Sequence, residues 1–294
     1  GYGYARGKNG YAYKADGLPW KMLLWDFDFG LGTPDSHPWD ISLFNEISDP
    51  VISNKFLQCA PFRRSFLQAS KEYIVGPMLF SEIEPAIDAR YAALCAEGVG
   101  AYGPSALKQW IALRRNNVLT QLSEYEAVFA ITSNGGGNFS TNRNLVLLRG
   151  AAPLDVRYIA INGVRYTPEW MTVTNWQVSL SLGAGANSLT VQGVDRNGDA
   201  VAGASDTITI TFTGGAVSPV GQLVINEIMY NPTNDSAEFV EICNRSTNAA
   251  FDLYDFRLQG ADLTFTQSVV LAPGGYAIAA ELPAAFAAAY GDKI

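Results

Sequence analysis

The spacing of hydrophobic residues changes at about residue 130 and divides the chain into an α+β part and an all-β part. Residues 1 to 32 alternate short apolar runs with turns, which predicts a β-hairpin around Lys14-Ala15-Asp16-Gly17. From about 41 to 126 the apolar positions recur at helical spacing. Ser81-Glu82-Ile83-Glu84 has the spacing of a capping box, and Glu97-Gly98 predicts the end of that helix. Pro104 marks another helix start, and one face of this helix is predicted to carry Leu107, Trp110, Ile111, Val118 and Leu122. We therefore expect a hairpin followed by a helical lobe.

Strand patterns fill the chain after residue 139. The Gly-rich stretch from Ser133 to Asn138 has no periodicity and predicts a linker over 131–139. Asn162-Gly163 is a strong hairpin signal. The apolar runs around it are Tyr158-Ile159-Ala160-Ile161, Trp176-Gln177-Val178-Ser179-Leu180, Ser188-Leu189-Thr190-Val191 and Thr207-Ile208-Thr209-Ile210-Thr211. Short strands at this density predict a β-sandwich over 140–215.

A second composition break predicts a linker over 216–220 and a further β module over 221–294. Three apolar runs support strands there: Leu223 to Ile228, Glu238 to Ile242 and Tyr276 to Ala279. These strands are too few to close a sandwich, so we expect this module to be truncated at its C-terminus. We likewise expect residues 1–130 to form a domain that is truncated at its N-terminus.

Composition excludes several classes of function. The chain has 294 residues, of which 48% are hydrophobic and 16% charged, with a net charge of -8. Such an acidic, packed chain is unsuited to nucleic acid, and no apolar run is long enough to predict a membrane span in this fragment. The three cysteines lack disulfide-framework or metal-ligand spacing, which leaves only a Cys59 to Cys95 bridge open.

The strongest candidate chemistry lies at the two ends of the predicted hairpin. Asn9 precedes its first strand, and Asp26 and Asp28 follow Trp20-Lys21-Met22-Leu23-Leu24-Trp25. In phosphoryl transfer a strand-end carboxylate and a catalytic-loop Asn hold Mg²⁺, which prefers such oxygen ligands. We therefore expect Asn9 and Asp26 to meet at one ion, with Asp28 as a further contact. An Asp-x-Asp that only forms a polar turn is the alternative.

Residues 1 to about 128 resemble the C-terminal part of the CotH (spore coat protein H) kinase family. The similarity runs through Lys8-Asn9-Gly10-Tyr11-Ala12-Tyr13-Lys14, the Trp-Asp-Phe-Asp of residues 25–28, and the helical stretch ending at Leu119. It implies a protein-kinase-like C-lobe that uses ATP with Mg²⁺ or Mn²⁺ to phosphorylate a protein substrate. Asn9 and Asp26 would then bind the metal–nucleotide. The catalytic Asp would lie upstream of residue 1, so this fragment alone is expected to be inactive.

Residues 221–294 resemble the first part of a lamin tail domain, an immunoglobulin-like sandwich. The similarity runs from Val224-Ile225-Asn226-Glu227-Ile228 to Leu271-Ala272-Pro273-Gly274-Gly275-Tyr276. It implies a module that binds a cell-surface or envelope component, in an extracellular or surface protein. Residues 140–215 resemble an immunoglobulin or fibronectin-type module only in general terms.

Two other functions stay open on the sequence. The kinase-like lobe could be a degenerate platform in a non-catalytic surface scaffold, or the β modules could bind carbohydrate. Among weaker candidates, Arg63-Arg64 and Arg114-Arg115 suit phosphate contacts or solvated helix faces, and the sequence favours solvated helix faces. Asp195 to Asp199 has acidic spacing but lacks the closing Glu of a Ca²⁺ loop, which favours a plain turn. Asn-x-Ser sequons start at Asn138, Asn234 and Asn244.

Overall fold

The computed structural model describes residues 10–13, 21–24, 38–44, 57–234 and 236–291. Contacts divide the chain into two compact units. The first holds the N-terminal hairpin and the helices up to residue 127, together with 172–174. The second holds the β structure from 128 onward. A helical part thus precedes an all-β part, as the two periodicities predict.

The predicted N-terminal hairpin is confirmed. Strand β1 (Gly10–Tyr13) pairs antiparallel with β2 (Lys21–Leu24), with Gly10 opposite Leu24 and Tyr13 opposite Lys21. Three helices follow in the same unit: α1 (Ala60–Val75), α2 (Phe80–Ala96) and α3 (Ser105–Ser123).

Of the buried residues described in the helical unit, all but Met78 lie in helices α1 and α3. Leu67 of α1 and Ile111 of α3 are almost completely buried, and Val118 and Leu122 extend the same face of α3. The amphipathic face predicted after Pro104 is therefore confirmed at these three α3 positions. Helix α2 buries no residue, and Lys108 of α3 contacts its Glu84 at 3.0 Å and Asp88 at 2.7 Å.

The predicted capping box at Ser81 is wrong. Helix α2 begins at Phe80, and Leu79 occupies the N-cap position without a side-chain cap. The N–H groups of Glu82 and Ile83 donate to the Leu79 carbonyl, both at 3.0 Å, so Ser81 already lies inside the first turn. The predicted end of the helix at Glu97-Gly98 is confirmed, because Gly98 adopts φ +71°, a left-handed conformation that suits glycine at a helix end.

Nine strands of the second unit form a β-sandwich between residues 130 and 212. They are β3 (Ala130–Ile131), β4 (Phe139–Thr141), β5 (Leu145–Ala151), β6 (Tyr158–Ile161), β7 (Val164–Tyr166), β8 (Glu169–Trp170), β9 (Asn175–Ser181), β10 (Gly185–Val194) and β11 (Ala200–Phe212). One sheet has the order β3-β5-β9-β8 and the other β4-β11-β10-β6-β7. This is the A-B-E-D against G-F-C arrangement of immunoglobulin-like sandwiches, with an added C′ strand and with β4 parallel to β11.

The sandwich has a continuous core and begins before the predicted boundary at 140. Leu148, Ile159, Val191 and Ile210 are fully buried or nearly so, and Trp176 stacks on Phe129 at a centroid distance of 6.2 Å. The predicted linker 131–139 contains Ile131 of β3 and Phe139 of β4. Strands of two or three residues show no hydrophobic period, so the intervening Gly-rich turn dominates the sequence pattern.

The remaining strands form the C-terminal module. They are β12 (Leu223–Met229), β13 (Phe239–Asn244), β14 (Phe251–Asp252), β15 (Arg257–Leu258), β16 (Leu263–Thr264), β17 (Val270–Leu271) and β18 (Tyr276–Ala280). The antiparallel sheet β12-β13-β18 is accompanied by the pairs β14-β17 and β15-β16. Helix α4 (Pro283–Tyr290), which the sequence analysis does not predict, packs Phe286 on Phe239 with ring centroids 5.2 Å apart.

In the part of the chain that the structure describes, no helix is both long and apolar enough to cross a membrane.

Gly150→Ala is expected to destabilise the sandwich by about 3 kcal/mol, because overpacking a close-packed core costs free energy. A Cβ at Gly150 would stand 2.2 Å from the Trp176 ring and 2.5 Å from the Ala130 carbonyl. Chemical denaturation measures the loss. Gly183→Ala is the matched control, since its Cβ would meet only the Asn187 side chain, at 3.6 Å. Equal stability of the two variants would contradict the close approach.

Candidate functional site

The three predicted metal ligands, Asn9, Asp26 and Asp28, lie outside the described residues. The hairpin that they flank is described. Its Gly10 and Leu24 form a paired position, Asn9 directly precedes Gly10 in the sequence, and Asp26 follows Leu24 by two residues. Opposite residues of an antiparallel pair have Cα atoms about 4.5–5.5 Å apart. The register is thus known for the described strands, and the meeting of Asn9 and Asp26 at one ion stays a prediction.

Elsewhere the described ranges contain no group of three or more His, Cys, Asp or Glu side chains that could hold a metal ion. The acidic loop after β10 is a turn, as expected. Asp195 Oδ1 accepts hydrogen bonds from the N–H groups of Asn197 at 2.8 Å and Asp199 at 2.9 Å. These bonds, that of Asp199 foremost, lower the pKa of Asp195 below its ordinary value. The carboxylate is thus already used by the backbone of its own turn.

The cysteines are all free. Cys95 is exposed on α2, Cys59 is partly buried next to α1, and Cys243 is buried in β13. The Cys59 to Cys95 bridge that the sequence leaves open is therefore absent from the structure.

The paired arginines of the helical unit contact protein groups. The Arg63 guanidinium lies 5.2 Å from the Phe44 ring centroid and 5.1 Å from that of Tyr125, whose hydroxyl accepts its Nη2 hydrogen bond at 2.9 Å. Arg64 is only 1% exposed. Arg115 Nε donates to the Ile74 carbonyl at 3.2 Å. The interpretation favoured by the sequence, in which these arginines lie on solvated helix faces, is therefore wrong for Arg63 and Arg64.

Arg114 and Gln121 of α3 hold the segment 38–44 by its backbone. Arg114 Nη1 donates to the carbonyls of Trp39, at 3.1 Å, and Ile41. Gln121 accepts the Leu43 N–H at 2.8 Å and donates to the Ile41 carbonyl at 3.2 Å. Burial lowers the pKa of Arg114 from its ordinary value, and the charge of Asp40 acts in the opposite direction. The side chain is a structural clamp on an irregular segment.

Two pairs of acidic side chains lie on the C-terminal module. Glu227 and Glu241 are directly opposite in β12 and β13, and Asn226 Nδ2 donates to Glu241 Oε1 at 2.6 Å. Glu238 and Glu281 form the second pair. The pKa of the Glu281 carboxyl is raised, first because its protonated form donates a hydrogen bond to Glu238 and second because of the negative charge of Glu238. Because like charges repel each other, the Glu238–Glu281 pair weakens the module at neutral pH.

A cleft of the C-terminal module opens beside the second acidic pair. It has a volume of about 680 Å³ and lies between β12-β13 and the β15-β16 hairpin. Its wall is mainly apolar, including Ile228, Val240 and Leu263, with the carboxylates of Glu238, Asp262 and Glu281 at its edge. The cleft contains no nucleophile paired with a base, so the geometry supports binding and gives no basis for catalysis there.

Residues 216–291 match the family model of the Lamin Tail Domain. The predicted lamin tail module is therefore confirmed, over a range that begins five residues before the predicted 221. We use the name lamin tail module for residues 216–291 from here on. The match covers the last part of the chain only, so the CotH resemblance of residues 1 to 128 stays a prediction.

Comparison with other proteins adds weak likenesses. No curated protein matches the chain. Among solved structures, the SGBP-B protein of the Bacteroides ovatus mixed-linkage glucan utilization locus, in complex with a mixed-linkage heptasaccharide, is 12% identical with a TM-score of 0.20. The alignment covers 54% of this chain and 46% of that one. The fibronectin(III)-like modules of Clostridium thermocellum CbhA are 12% identical with a TM-score of 0.21, over 51% of this chain and 77% of that one.

Arg114→Ala is expected to release the 38–44 segment and to cost about 1–2 kcal/mol of stability, since two backbone carbonyls lose a charged donor. Hydrogen exchange of the peptide containing Leu43 should accelerate. Arg90→Ala, an exposed position on α2, is the control. Unchanged exchange at Leu43 in the Arg114 variant would show that Gln121 alone holds the segment.

Glu281→Gln is expected to stabilise the lamin tail module at neutral pH. Because the folded-state pKa of Glu281 is raised, its contribution to stability is fully present below its ordinary pKa of 4.5 and is lost as the pH rises through the raised value. Removing the charge should therefore raise the unfolding midpoint at about pH 7 and leave it unchanged at about pH 3. Asp262→Asn, whose side chain is 98% exposed, serves as control. An equal gain at both pH values would exclude charge repulsion as the cause.

Proposed function

We propose that the chain is part of a secreted or cell-surface protein kinase of the CotH type. The whole protein would transfer the γ-phosphoryl group of ATP to a hydroxyl of a protein substrate. The observation that carries this proposal is the antiparallel pairing of Gly10 with Leu24, whose sequence neighbours include Asn9 and Asp26. A helical unit follows the hairpin, as it does in a kinase C-lobe.

The residue types around the hairpin fit a divalent metal with ATP. Asn9 and Asp26 would supply an amide oxygen and a carboxylate oxygen, and Asp28 would contact the ion or orient Asp26. When bound, Mg²⁺ or Mn²⁺ neutralises charge on the transferred phosphate. The part proposed for this chain is positional: strand pairing would hold together two ligands that are 17 residues apart in sequence.

The β modules support an attachment role in the same protein. A match to the Lamin Tail Domain lies at 216–291, and an immunoglobulin-like sandwich precedes it. Neither module brings together a catalytic constellation among its described residues, which suits a binding or spacing function. We therefore assign to them contact with a cell-surface or envelope component.

A non-catalytic surface scaffold is the second candidate function. The observation that favours it is that the family match lies in the lamin tail module, for which the resemblance implies interaction and no chemistry of its own. In that case the hairpin and helices would serve only as a platform. The two functions differ at Asp26.

Phosphate transfer from labelled ATP, with Mg²⁺ or Mn²⁺, by the intact parent protein tests the proposal. We expect Asp26→Asn to abolish transfer, a loss of at least about 100-fold, because a metal ligand that also stabilises the transition state is removed. Asp28→Asn should have a smaller effect. The control is Asp262→Asn, a surface carboxylate of the lamin tail module, which should leave transfer unchanged.

Binding of ATP separates the two candidate functions when no phosphoacceptor has been found. A kinase should show a metal-dependent thermal shift with ATP that Asp26→Asn removes. A folded parent protein with neither transfer nor a thermal shift would overturn the kinase proposal and favour the scaffold.

A further inference from the structure

The loop between β13 and β14 of the lamin tail module contacts the preceding sandwich through a buried asparagine. Asn144, which directly precedes β5, is 9% exposed. Its Nδ2 donates to the Ala250 carbonyl at 2.7 Å, and its Oδ1 accepts the Ala250 N–H at 3.0 Å. Ser181 Oγ of β9 donates to the same carbonyl at 3.0 Å. The sandwich thus satisfies both backbone groups of a residue that is itself 1% exposed.

A second asparagine holds the same loop from within the lamin tail module. Asn244 is completely buried, and its Nδ2 donates to the carbonyls of Ala249 at 2.8 Å and Leu271 at 3.0 Å. Its Oδ1 accepts the Ser246 N–H at 2.9 Å. Ala249 and Ala250 are therefore bound from opposite sides by one asparagine of each module.

A third polar contact joins the modules at Asp252. The Tyr166 hydroxyl of β7 donates to Asp252 Oδ2 at 3.2 Å, and Ser268 Oγ donates to the same oxygen at 2.6 Å. The other oxygen accepts the Val269 N–H at 3.0 Å. Burial raises the pKa of Tyr166 to about 12, so the hydroxyl keeps its proton at neutral pH. The Ser268 N–H completes the contact by donating to the Arg165 carbonyl at 3.0 Å.

The apolar core of the lamin tail module is small and adjoins that of the sandwich. In the described residues its main cluster has three buried members, Ile242, Leu253 and Leu271. Val270 of β17, next to Leu271, packs against the core cluster of the sandwich. Small domains bury too little apolar surface to be stable without additional constraints. The face made by β14 and β17 is therefore covered by the preceding sandwich.

We propose that the β14-β17 face of the lamin tail module is an interaction surface whose partner is the preceding sandwich, and that the two modules fold and open as one cooperative unit. The buried Asn144–Ala250 pair is the main contact. A polar group that stays buried without its hydrogen-bond partner lowers the stability of the protein. Separation of the modules would leave the polar groups of Asn144 and Ala250 without each other, so the two modules are expected to open together. The face is consequently occupied within the chain and is not free for an external partner.

Hydrogen exchange of the whole chain, measured peptide by peptide, tests this inference with Asn144→Ala. Loss of the two bonds to Ala250 should accelerate exchange in lamin tail peptides that contain Ala250 and Leu271 by about tenfold or more. A tenfold change corresponds to about 1.4 kcal/mol. Tyr166→Phe, which removes only one hydroxyl, should accelerate the same peptides to a smaller extent.

The matched control is Asn187→Ala, which removes local hydrogen bonds within the sandwich and none to the lamin tail module. Asn187 accepts the Gly183 N–H at 2.9 Å and donates to the Gly183 carbonyl at 2.9 Å, in a turn between β9 and β10. In the Asn187→Ala control, hydrogen exchange near Gly183 should accelerate. The Ala250 amide should exchange more slowly in this control than in Asn144→Ala. Unchanged lamin tail peptides in both Asn144→Ala and Tyr166→Phe would overturn the inference and show two independent modules.

Discussion

Buried backbone N–H and C=O groups must be hydrogen-bonded. The architecture of the β unit depends on which groups bond to the buried backbone of the loop between β13 and β14. Ala249 and Ala250 are buried but lie outside every strand. Their backbone groups therefore cannot be satisfied by a sheet. Asparagine side chains replace the missing strand, because one amide offers a donor and an acceptor in nearly the geometry of a peptide group. The position of the loop is then fixed by Asn144 and Asn244 together.

The apolar contacts of the lamin tail module form separate clusters because its strands are short. Ile242, Leu253 and Leu271 form its inner cluster. On the sheet β12-β13-β18, Phe239 packs edge-on against Phe286 and against Tyr290, the latter at 5.4 Å. Aromatic contacts of this kind bury much surface per residue. Helix α4 thus supplies apolar cover that the strands do not.

The helical unit shows why clustered charge is a poor guide to partners. Arg63 and Arg114 both lie on helices, where a pair of adjacent arginines predicts either a phosphate contact or exposure to solvent. In the structure the Arg63 guanidinium lies over two adjacent aromatic rings, and Arg114 donates to backbone carbonyls of 38–44. Guanidinium groups suit such positions because they stack on rings and present several donors in one plane. An irregular segment beside a helix creates the same demand for donors as a bound anion.

Sequence reasoning succeeded where a pattern extends over several residues. The N-terminal hairpin, the inner face of α3 and the strands after residue 140 follow from periodicity, and the lamin tail module from a motif of more than fifty residues. It failed where one residue acts through its neighbours in space. Asn244 begins an Asn-Arg-Ser sequon, a motif typical of surface loops in secreted proteins, yet the side chain is completely buried.

Helix α4 was missed for a related reason. Its sequence, Pro-Ala-Ala-Phe-Ala-Ala-Ala-Tyr, has no polar face and so no helical period to detect, although alanine is the best intrinsic helix former. Asn144 lies between an arginine and a strand and shows no pattern at all. For the candidate metal site, strand pairing agrees with the prediction as far as Gly10 and Leu24. The metal site itself is predicted from residue type, because carboxylate and amide oxygens are the ligands that Mg²⁺ prefers.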